Sequence, residues 1–390
     1  MALHYKQPKY YDKFSCIGGK CTNSCCAGWS IDWLKSEVEK LKNAECSAEL
    51  RSVVEKSFQP KAAHFCIVLK DNNDCPFHND EGLCMIQKEL GEEYLSITCS
   101  KYPRRMVIHG QTVTRSCSCS CPAVLDLLFE DSSAMRMEVK NIHSDFKSTV
   151  GMVNDTQERV DKTPVLFFRE QIGDFYNKII TDKNISLETA IILGALASKR
   201  FTDVADSDKV IEIPAIIKEY DGKLRDKATI KAIEDIKANR EIQFKLVNNL
   251  AVTFFSRLMP FDLSVLHDGE RVISEKYEKG MELFAETFKG REYFLKNLAA
   301  NILLDFYMPF FDIEHSILEN YIYYALTVAA FKVMGAAIAL KSENIEADFK
   351  HAVSMLSRMM FHSPDEAKKV MDYLGKVGIN SAAHVAFIIK

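Results

Sequence analysis

The cysteine-rich part of the sequence opens with Cys16-Ile17-Gly18-Gly19-Lys20-Cys21-Thr22-Asn23-Ser24-Cys25-Cys26-Ala27-Gly28-Trp29 and closes with Cys117-Ser118-Cys119-Ser120-Cys121. All 12 cysteines of the 390-residue chain lie within residues 16–121. This segregation indicates a chemical role for the thiols, either in a disulfide framework or as metal ligands. The compartment in which the protein works decides between the two.

The first residues favour the metal interpretation. Residues 1–8 contain neither an apolar signal core nor a cleavage site, and we therefore expect a cytoplasmic protein. In the reducing cytosol, a dense cysteine cluster is typical of metal binding or catalysis rather than of disulfides.

Composition is that of an ordinary globular protein, with 47% hydrophobic residues, 27% charged residues and a net charge of −4. Residues 1–121 carry 16 Lys and Arg against 14 Asp and Glu, which leaves 34 against 40 in the remainder. Neither part has the strong positive charge that nucleic-acid binding usually requires, so no nucleic-acid partner is expected. The length suggests two domains.

Hydrophobic periodicity predicts a mainly α fold. We expect a cysteine-rich, partly irregular metal-binding domain over residues 1–125 and an all-α helical bundle over residues 126–390. Within the first part, the apolar run from Met106 and the alternation through Thr114 predict a small β-hairpin. No strand pattern is evident after residue 122. Thr163 before Pro164 and Ser186 before Leu187 have the pattern of helix N-caps.

Residues 321–340 form a long apolar run that is interrupted by Lys332. Its length would allow it to cross a bilayer. The central lysine and the lack of flanking basic loops favour a helix buried inside a bundle instead. We therefore expect no membrane insertion.

The cysteine spacing is wide and irregular, and it lacks the paired Cys-x2-Cys knuckles of common zinc sites. An iron–sulfur cluster of the four-iron type suits such spacing better, although zinc remains an alternative or a second site. Adjacent side chains point in different directions, so Cys25 and Cys26 serve two separate centres or one of them is structural. Cys46 and Cys66 are expected to be structural. The eight predicted metal ligands are Cys16, Cys21, Cys25, Cys26, Cys75, Cys84, Cys99 and Cys121.

Further residues around these cysteines form recognisable motifs: Phe14-x-Cys16-Ile17-Gly18, Gly28-Trp29-x-Ile31, Cys75-Pro76-Phe77, Gly82-Leu83-Cys84, Leu90-Gly91-Glu92, Tyr102-Pro103-Arg104 and Ser120-Cys121-Pro122. Their combination resembles the cysteine region of the flagellin lysine-N-methylase family. The cysteine blocks alone are also similar to a broader group of zinc- or iron-chelating proteins. Cys117 and Cys119 are additional to the family pattern, and no function is transferred to them.

The resemblance implies methyl transfer from S-adenosylmethionine to lysine side chains of flagellin by an enzyme with an iron–sulfur centre. A sulfonium donor requires aromatic or anionic surroundings, for which Trp29, Tyr94 and Tyr102 are candidates by position. Arg104 is a candidate for pairing with the donor carboxylate, as an alternative to an open iron of the cluster. Tyr102 and Arg104 are also the candidates for a catalytic role. Whether transfer is radical or polar stays open.

A protein of another class remains the alternative. In that case the thiols would serve a non-catalytic zinc- or iron-binding or redox-sensing protein whose helical domain binds a partner. A cleft of donor size beside the thiols favours the enzyme.

Overall fold

The computed structural model describes residues 4–28, 31–109, 111–141, 152–154, 163–254, 263–268, 271–272, 274–305, 307–361 and 364–390. Helices dominate the described chain, and most strands lie in its first half. The mainly α prediction is therefore confirmed.

A five-stranded mixed sheet forms one layer of the N-terminal half. Its strands are β1 (His4–Pro8), β5 (Arg104–His109), β6 (Thr112–Cys117), β7 (Met137–Asn141) and β8 (Met152–Asn154), in the order β7-β1-β6-β5-β8. Strands β5 and β6 form the predicted hairpin, with Arg104 opposite Cys117. Strand β1 runs parallel to β6 and antiparallel to β7.

Strands β7 and β8 correct the expectation that the chain is entirely helical beyond residue 125. Both are edge strands of the sheet, and each pairs with a strand from far earlier in the chain. A short edge strand has a weak local pattern because its distant partner, rather than its own sequence, stabilises it. A small two-stranded sheet, formed by β9 (His267–Asp268) and β10 (Arg271–Val272), also differs from the all-helical expectation.

A three-stranded sheet and four short helices surround a smaller core. The strands are β2 (Asp32–Leu34), β3 (Phe58–Lys61) and β4 (His64–Ile67), in the order β2-β4-β3. The helices are α1 (Lys35–Lys42), α2 (Ala48–Lys56), α3 (Met85–Leu90) and α4 (Ile97–Lys101). Trp33 is fully buried in this smaller core, where its ring meets the edge of Phe58 at a centroid distance of 5.2 Å.

The remaining helices form a bundle around a larger core. They are α5 (Pro122–Glu130), α6 (Arg169–Thr181), α7 (Leu187–Ala205), α8 (Ile213–Lys223), α9 (Lys227–Glu234), α10 (Arg240–Phe254), α11 (Ser274–Thr287), α12 (Tyr293–Asp305), α13 (Ile317–Ala339), α14 (Ile345–Phe361), α15 (Pro364–Lys376) and α16 (Ala382–Ile389).

Helix α13 is the predicted buried helix of the bundle. Among the described helices it alone has the length and hydropathy of a membrane span, and 94% of its most apolar window is buried. Lys332 satisfies its ammonium inside the bundle by bonding Glu188 and the carbonyl of Ile389, each at 2.7 Å. The core position is confirmed, and the absence of membrane insertion stays a prediction.

Of the two predicted N-caps, Ser186 is confirmed and Thr163 is not. The Ser186 hydroxyl accepts a hydrogen bond from the backbone N–H of Thr189 and caps α7, as expected. Thr163 makes no capping bond with its side chain. Pro164 begins a short 3₁₀ turn, and the α-helix starts only at Arg169.

The two hydrophobic cores do not follow one another along the chain. The larger core takes Tyr10, Tyr11 and Phe14 from the N-terminal arm, together with buried cysteines from the end of β6 and the turn that follows it. The smaller core is built from residues between Ile31 and Ile86. The predicted division after residue 125 is untested and stays a prediction.

Candidate functional site

Four of the predicted thiols lie at the smaller core and form what we call the first thiol set: Cys26, Cys75, Cys84 and Cys99. The backbone brings the first two together. The N–H of Cys75 donates a hydrogen bond of 2.7 Å to the carbonyl of Cys26, and Ala27 forms a β-bridge with Asp74.

A tight loop positions Cys75 and Cys84. The side-chain oxygen of Asn79 accepts hydrogen bonds of 2.9 and 3.1 Å from two backbone N–H groups within the loop. Gly82 adopts a φ of +73°, which favours glycine, and His78 bridges Cys84 across the loop. Asn79 and Gly82 are turn-forming residue types, which explains the loop between these two thiols.

Cys99 joins the first thiol set from helix α4. Its backbone N–H donates a hydrogen bond of 3.1 Å to the hydroxyl of Ser96, which caps the helix. This cap fixes the thiol in the first turn of the helix, beside the loop.

The pKa shifts of the first thiol set indicate that its four sulfur atoms lie near one another. Burial raises the pKa of Cys75 and of Cys99 to about 12, and it also raises the pKa of Cys84. Mutual charge repulsion contributes to these shifts for every pair within the set. A bound metal would instead lower the pKa of these thiols, because a coordinating thiol is deprotonated.

The other four predicted ligands form a second thiol set: Cys16, Cys21, Cys25 and Cys121. Burial raises the pKa of Cys121 to about 11, and the charges of Cys21 and Cys16 contribute to the shift. Cys25 interacts with the charge of Cys99 from the first thiol set and with that of Cys16. Tyr102 lies near both Cys121 and Cys25, whose charges help burial to raise its pKa.

Cys25 and Cys26 connect the two thiol sets. The Cys25 thiol donates a hydrogen bond to the Cys26 sulfur, which raises the pKa of Cys25 and lowers that of Cys26. Cys25 interacts with Cys99 of the first set as well as with Cys16 of the second. Both alternatives, two separate centres or one structural thiol, and metal ligation by either residue stay predictions.

The two sets supply cysteine sulfur, the donor type that iron–sulfur clusters use. Each set supplies four thiols, the number that such clusters commonly take from cysteine and that all-cysteine zinc sites also use. Among the residues that the structure describes, no three His, Cys, Asp or Glu side chains are placed as ligands of a single metal ion. Metal binding by these thiols, and the identity and nuclearity of the metal, stay predictions.

The predicted donor-binding residues lie in different surroundings. Tyr102 bonds the hydroxyl of Ser120 at 3.0 Å within the second thiol set. The guanidinium of Arg104 lies 4.8 Å from the ring centroid of Phe14 and donates to its carbonyl. Tyr94 packs at the smaller core, under the ammonium of Lys40. Trp29 lies outside the described residues.

The two cysteines expected to be structural lie on other elements around the smaller core. Cys46 packs against its apolar side chains, just before helix α2. Cys66 lies on strand β4, opposite Asp32 of β2 and Gln59 of β3.

A buried polar network around Cys117 and Cys119 was not anticipated from the sequence. The Asn301 amide donates to the carbonyl of Cys117 at 2.9 Å and to the sulfur of Cys119 at 3.0 Å. The Tyr10 hydroxyl donates to Asn301, and the Cys119 N–H donates to Asp305. Burial raises the pKa of Asp305 to about 6. No local sequence pattern predicts this network, because its residues are far apart in sequence and come together only in the folded chain.

A cavity beside the five-stranded sheet was also missed. It lies between the sheet and helices α6 and α12, and its lining includes Lys6, Ser116, Arg169 and Tyr307. Ser116 immediately precedes Cys117, which places the cavity next to the closing cysteine segment. The polar alternation of Thr112, Thr114 and Ser116 on β6 was its one local signal.

Together, the fold and the thiol sets define a mainly helical protein with a thiol-rich N-terminal half. Residues 174–388 match the FliB lysine N-methylase C-terminal domain. Because this match covers more than half of the chain, the protein belongs to that family. No solved structure matches the chain.

Individual relatives carry related names. The lysine-N-methylase of Salmonella typhimurium is 32% identical over 149 residues, which are 35% of this chain and 35% of that protein. The flagellar biosynthetic protein FliU of Salmonella muenchen is 32% identical over 151 residues, which are 35% of this chain and 84% of that protein. The aligned part thus spans about a third of the Salmonella typhimurium enzyme.

Proposed function

We propose that this protein is a lysine N-methylase of flagellin that uses S-adenosylmethionine and carries an iron–sulfur centre. The match of residues 174–388 to the FliB lysine N-methylase domain is the observation that carries the proposal. The names of the Salmonella relatives add the lysine methylation reaction and a flagellar context.

The proposed reaction places a chemical demand on the acceptor. A lysine is protonated at neutral pH, and only its neutral amine can attack the methyl carbon. In a polar transfer, the nitrogen–carbon bond forms while the carbon–sulfur bond breaks. S-adenosylhomocysteine leaves, and the extra proton of the amine passes to a base or to water. Burial of the lysine side chain would favour the reactive form.

The two thiol sets would hold the metal. Cys26, Cys75, Cys84 and Cys99 offer four donors at the smaller core, and Cys16, Cys21, Cys25 and Cys121 offer four more. An iron–sulfur cluster, when bound, supplies a redox centre whose potential depends on its surroundings. The chain's own contribution would be to bring the thiols of each set near one another.

A redox-sensing protein is the second candidate, and the Cys25–Cys26 pair favours it. Cys26 has a lowered pKa, and a thiol with a lowered pKa is prone to oxidation when oxidants can reach it. A neighbouring thiol is then in place to resolve the oxidised form. In this alternative the helical bundle would bind a partner instead of a substrate.

The experiment is mass spectrometry of flagellin after incubation with the iron-loaded protein, reductant and S-adenosylmethionine carrying an isotopically labelled methyl group. We expect labelled methyl groups on lysine peptides, and none when either donor or enzyme is omitted. Unlabelled flagellin after treatment with protein of full iron content would overturn the proposal and favour the redox sensor.

A further inference from the structure

His78 lies in the loop between two thiols of the first thiol set. The sequence Cys75-Pro76-Phe77-His78 places its imidazole three residues after one thiol, and Cys84 follows six residues later. Zinc sites commonly take two ligands that are separated by two to four residues along the chain, and Cys75 and His78 have this spacing. The sequence therefore offers a nitrogen donor among the sulfur donors of this loop.

The main chain holds His78 close to both of these cysteines. Its backbone N–H donates a hydrogen bond of 3.0 Å to the carbonyl of Cys75, and His78 forms a β-bridge with Cys84. The carbonyl of His78 accepts a hydrogen bond of 2.9 Å from the ammonium of Lys70. The position of the imidazole relative to the two thiols is thus limited to what its own side-chain rotations allow.

One ring nitrogen of His78 is buried without a hydrogen bond. The side chain as a whole is half-buried, but its Nε2 atom is inaccessible and has no hydrogen-bond partner among the described residues. His64 and His315 also have such a nitrogen, yet each of these lies 3.3 Å from a carboxylate oxygen. A buried polar atom without a partner is destabilising unless a water, an ion or a ligand meets it.

The ring also lies near a thiol from outside the loop. The hydrogen bond from Cys25 is the main cause of the lowered pKa of Cys26, and the charge of His78 contributes to it. Cys26 is in turn joined to Cys75 by the backbone hydrogen bond of 2.7 Å. His78 is therefore next to the first thiol set both along the chain and in space.

Sulfur and imidazole nitrogen are a common pair of donors in metal sites. Zinc is held by three cysteines and one histidine in many structural sites, and histidine replaces cysteine on one iron of some iron–sulfur clusters. With His78, the first thiol set offers five donors, whereas such centres commonly take four from the protein. The histidine can thus take the place of one thiol.

We propose that His78 is a ligand of the metal centre at the first thiol set and binds it through Nε2. The metal is one that accepts both sulfur and nitrogen donors, namely zinc or the iron of a cluster. Binding requires side-chain rotation, because no group of His, Cys, Asp and Glu side chains among the described residues is already placed around a single ion. This assignment rests on the metal site of the proposed function and replaces an all-cysteine set by a mixed one.

The test uses cadmium(II), a thiophilic probe, added to the reduced and metal-stripped full chain. Cadmium and histidine nitrogen both carry NMR-active isotopes, so that a bond between them is seen as a scalar coupling. We expect coupling to the Nε2 atom of one histidine in the wild type and its loss in His78→Gln. In competition with a chelator, His78→Gln should also bind the cadmium of the first thiol set about tenfold more weakly, or weaker still.

The matched control is His64→Gln, because His64 lies on strand β4 of the same part of the chain and pairs with Asp32. It should keep both the coupling and the affinity. Cadmium bound without coupling to any histidine would overturn the assignment, as would coupling that persists in His78→Gln. Absence of cadmium binding would overturn it together with the metal site.

Flagellin methylation separates this assignment from the proposed function. If the wild type methylates flagellin but cadmium shows no coupling to His78, only the ligand assignment fails. If cadmium couples to His78 but the iron-loaded wild type transfers no methyl group, the ligand assignment stands and the proposed function fails.

Discussion

The carbonyl of Cys26 accepts a hydrogen bond of 2.7 Å from the backbone N–H of Cys75. This bond connects the segment that contains Cys25 and Cys26 to the loop that carries Cys75 and Cys84. The thiols are therefore gathered by backbone contacts and by the smaller core, in the absence of any disulfide among the described cysteines.

Iron content should respond separately to each thiol set. We expect Cys75→Ala and Cys121→Ala each to lower bound iron by about half, and the double variant to remove nearly all of it. Cys46→Ala, which alters a thiol outside both sets, should retain the wild-type content. Iron and sulfide analysis of anaerobically purified protein gives the result. Complete loss in either single variant would instead indicate one shared centre.

Removal of the metal should loosen the cysteine region before the bundle. Metal binding by thiolates contributes directly to folding free energy, so residues 16–121 lose stability when the metal is stripped. Hydrogen exchange with mass spectrometry should show faster exchange in this region and unchanged protection in α13. Equal exchange in loaded and stripped protein would mean that the fold does not depend on a metal.

Two helical glycines should respond in opposite directions to alanine. At Gly280 in α11, an added Cβ would collide with the backbone carbonyl of Ala336 in α13, which should cost roughly 1–3 kcal/mol of unfolding free energy. At Gly222 in α8, no described heavy atom lies within 4 Å, and Gly222→Ala should stabilise the protein by up to about 1 kcal/mol. Denaturant unfolding measures both. A neutral Gly280→Ala would contradict the close packing of α11 on α13.

Asp305 should make stability fall as pH rises through the mildly acidic range. Burial raises its pKa from 3.8 to about 6, so the folded protein keeps a proton that the unfolded chain has lost. Between about pH 4 and pH 6, this group should reduce the free energy of unfolding by roughly 2–3 kcal/mol.

In the Asp305→Asn variant, the free energy of unfolding should not show this fall with pH, because the amide does not titrate. The amide oxygen can still accept the hydrogen bond from Cys119. Asp203→Asn, a change at an exposed carboxylate, should keep the wild-type slope. Urea unfolding at several pH values compares the three proteins. Identical slopes for wild type and Asp305→Asn would show that Asp305 ionises normally in the fold.

Features with a strong local pattern were predictable from the sequence. The hairpin of β5 and β6 follows from its alternation, and α13 follows from a long apolar run with a single lysine. The Ser186 cap is a property of a few consecutive residues. Val38 and Leu41 in α1, like Leu50 and Val54 in α2, recur at helical spacing and are buried.

Features created by distant residues were not predictable. Strand β7 has a short alternation, and its pairing with β1 depends on residues more than a hundred positions away. The cavity brings together Lys6, Arg169 and Tyr307, none of which belongs to a recognised motif. The cysteine spacing likewise could not show that Cys25 interacts with both Cys99 and Cys16, since this depends on how the loops fold back.

Flagellin methylation by the Cys99→Ala variant is the most direct test of the proposed role of the thiols. Cys99 belongs to the first thiol set, and its loss should abolish both the iron held there and the transfer of labelled methyl groups to lysine. Cys66→Ala, a change on strand β4, should retain both. Full methylation by Cys99→Ala protein that has lost the iron of the first thiol set would contradict a catalytic centre held by Cys99.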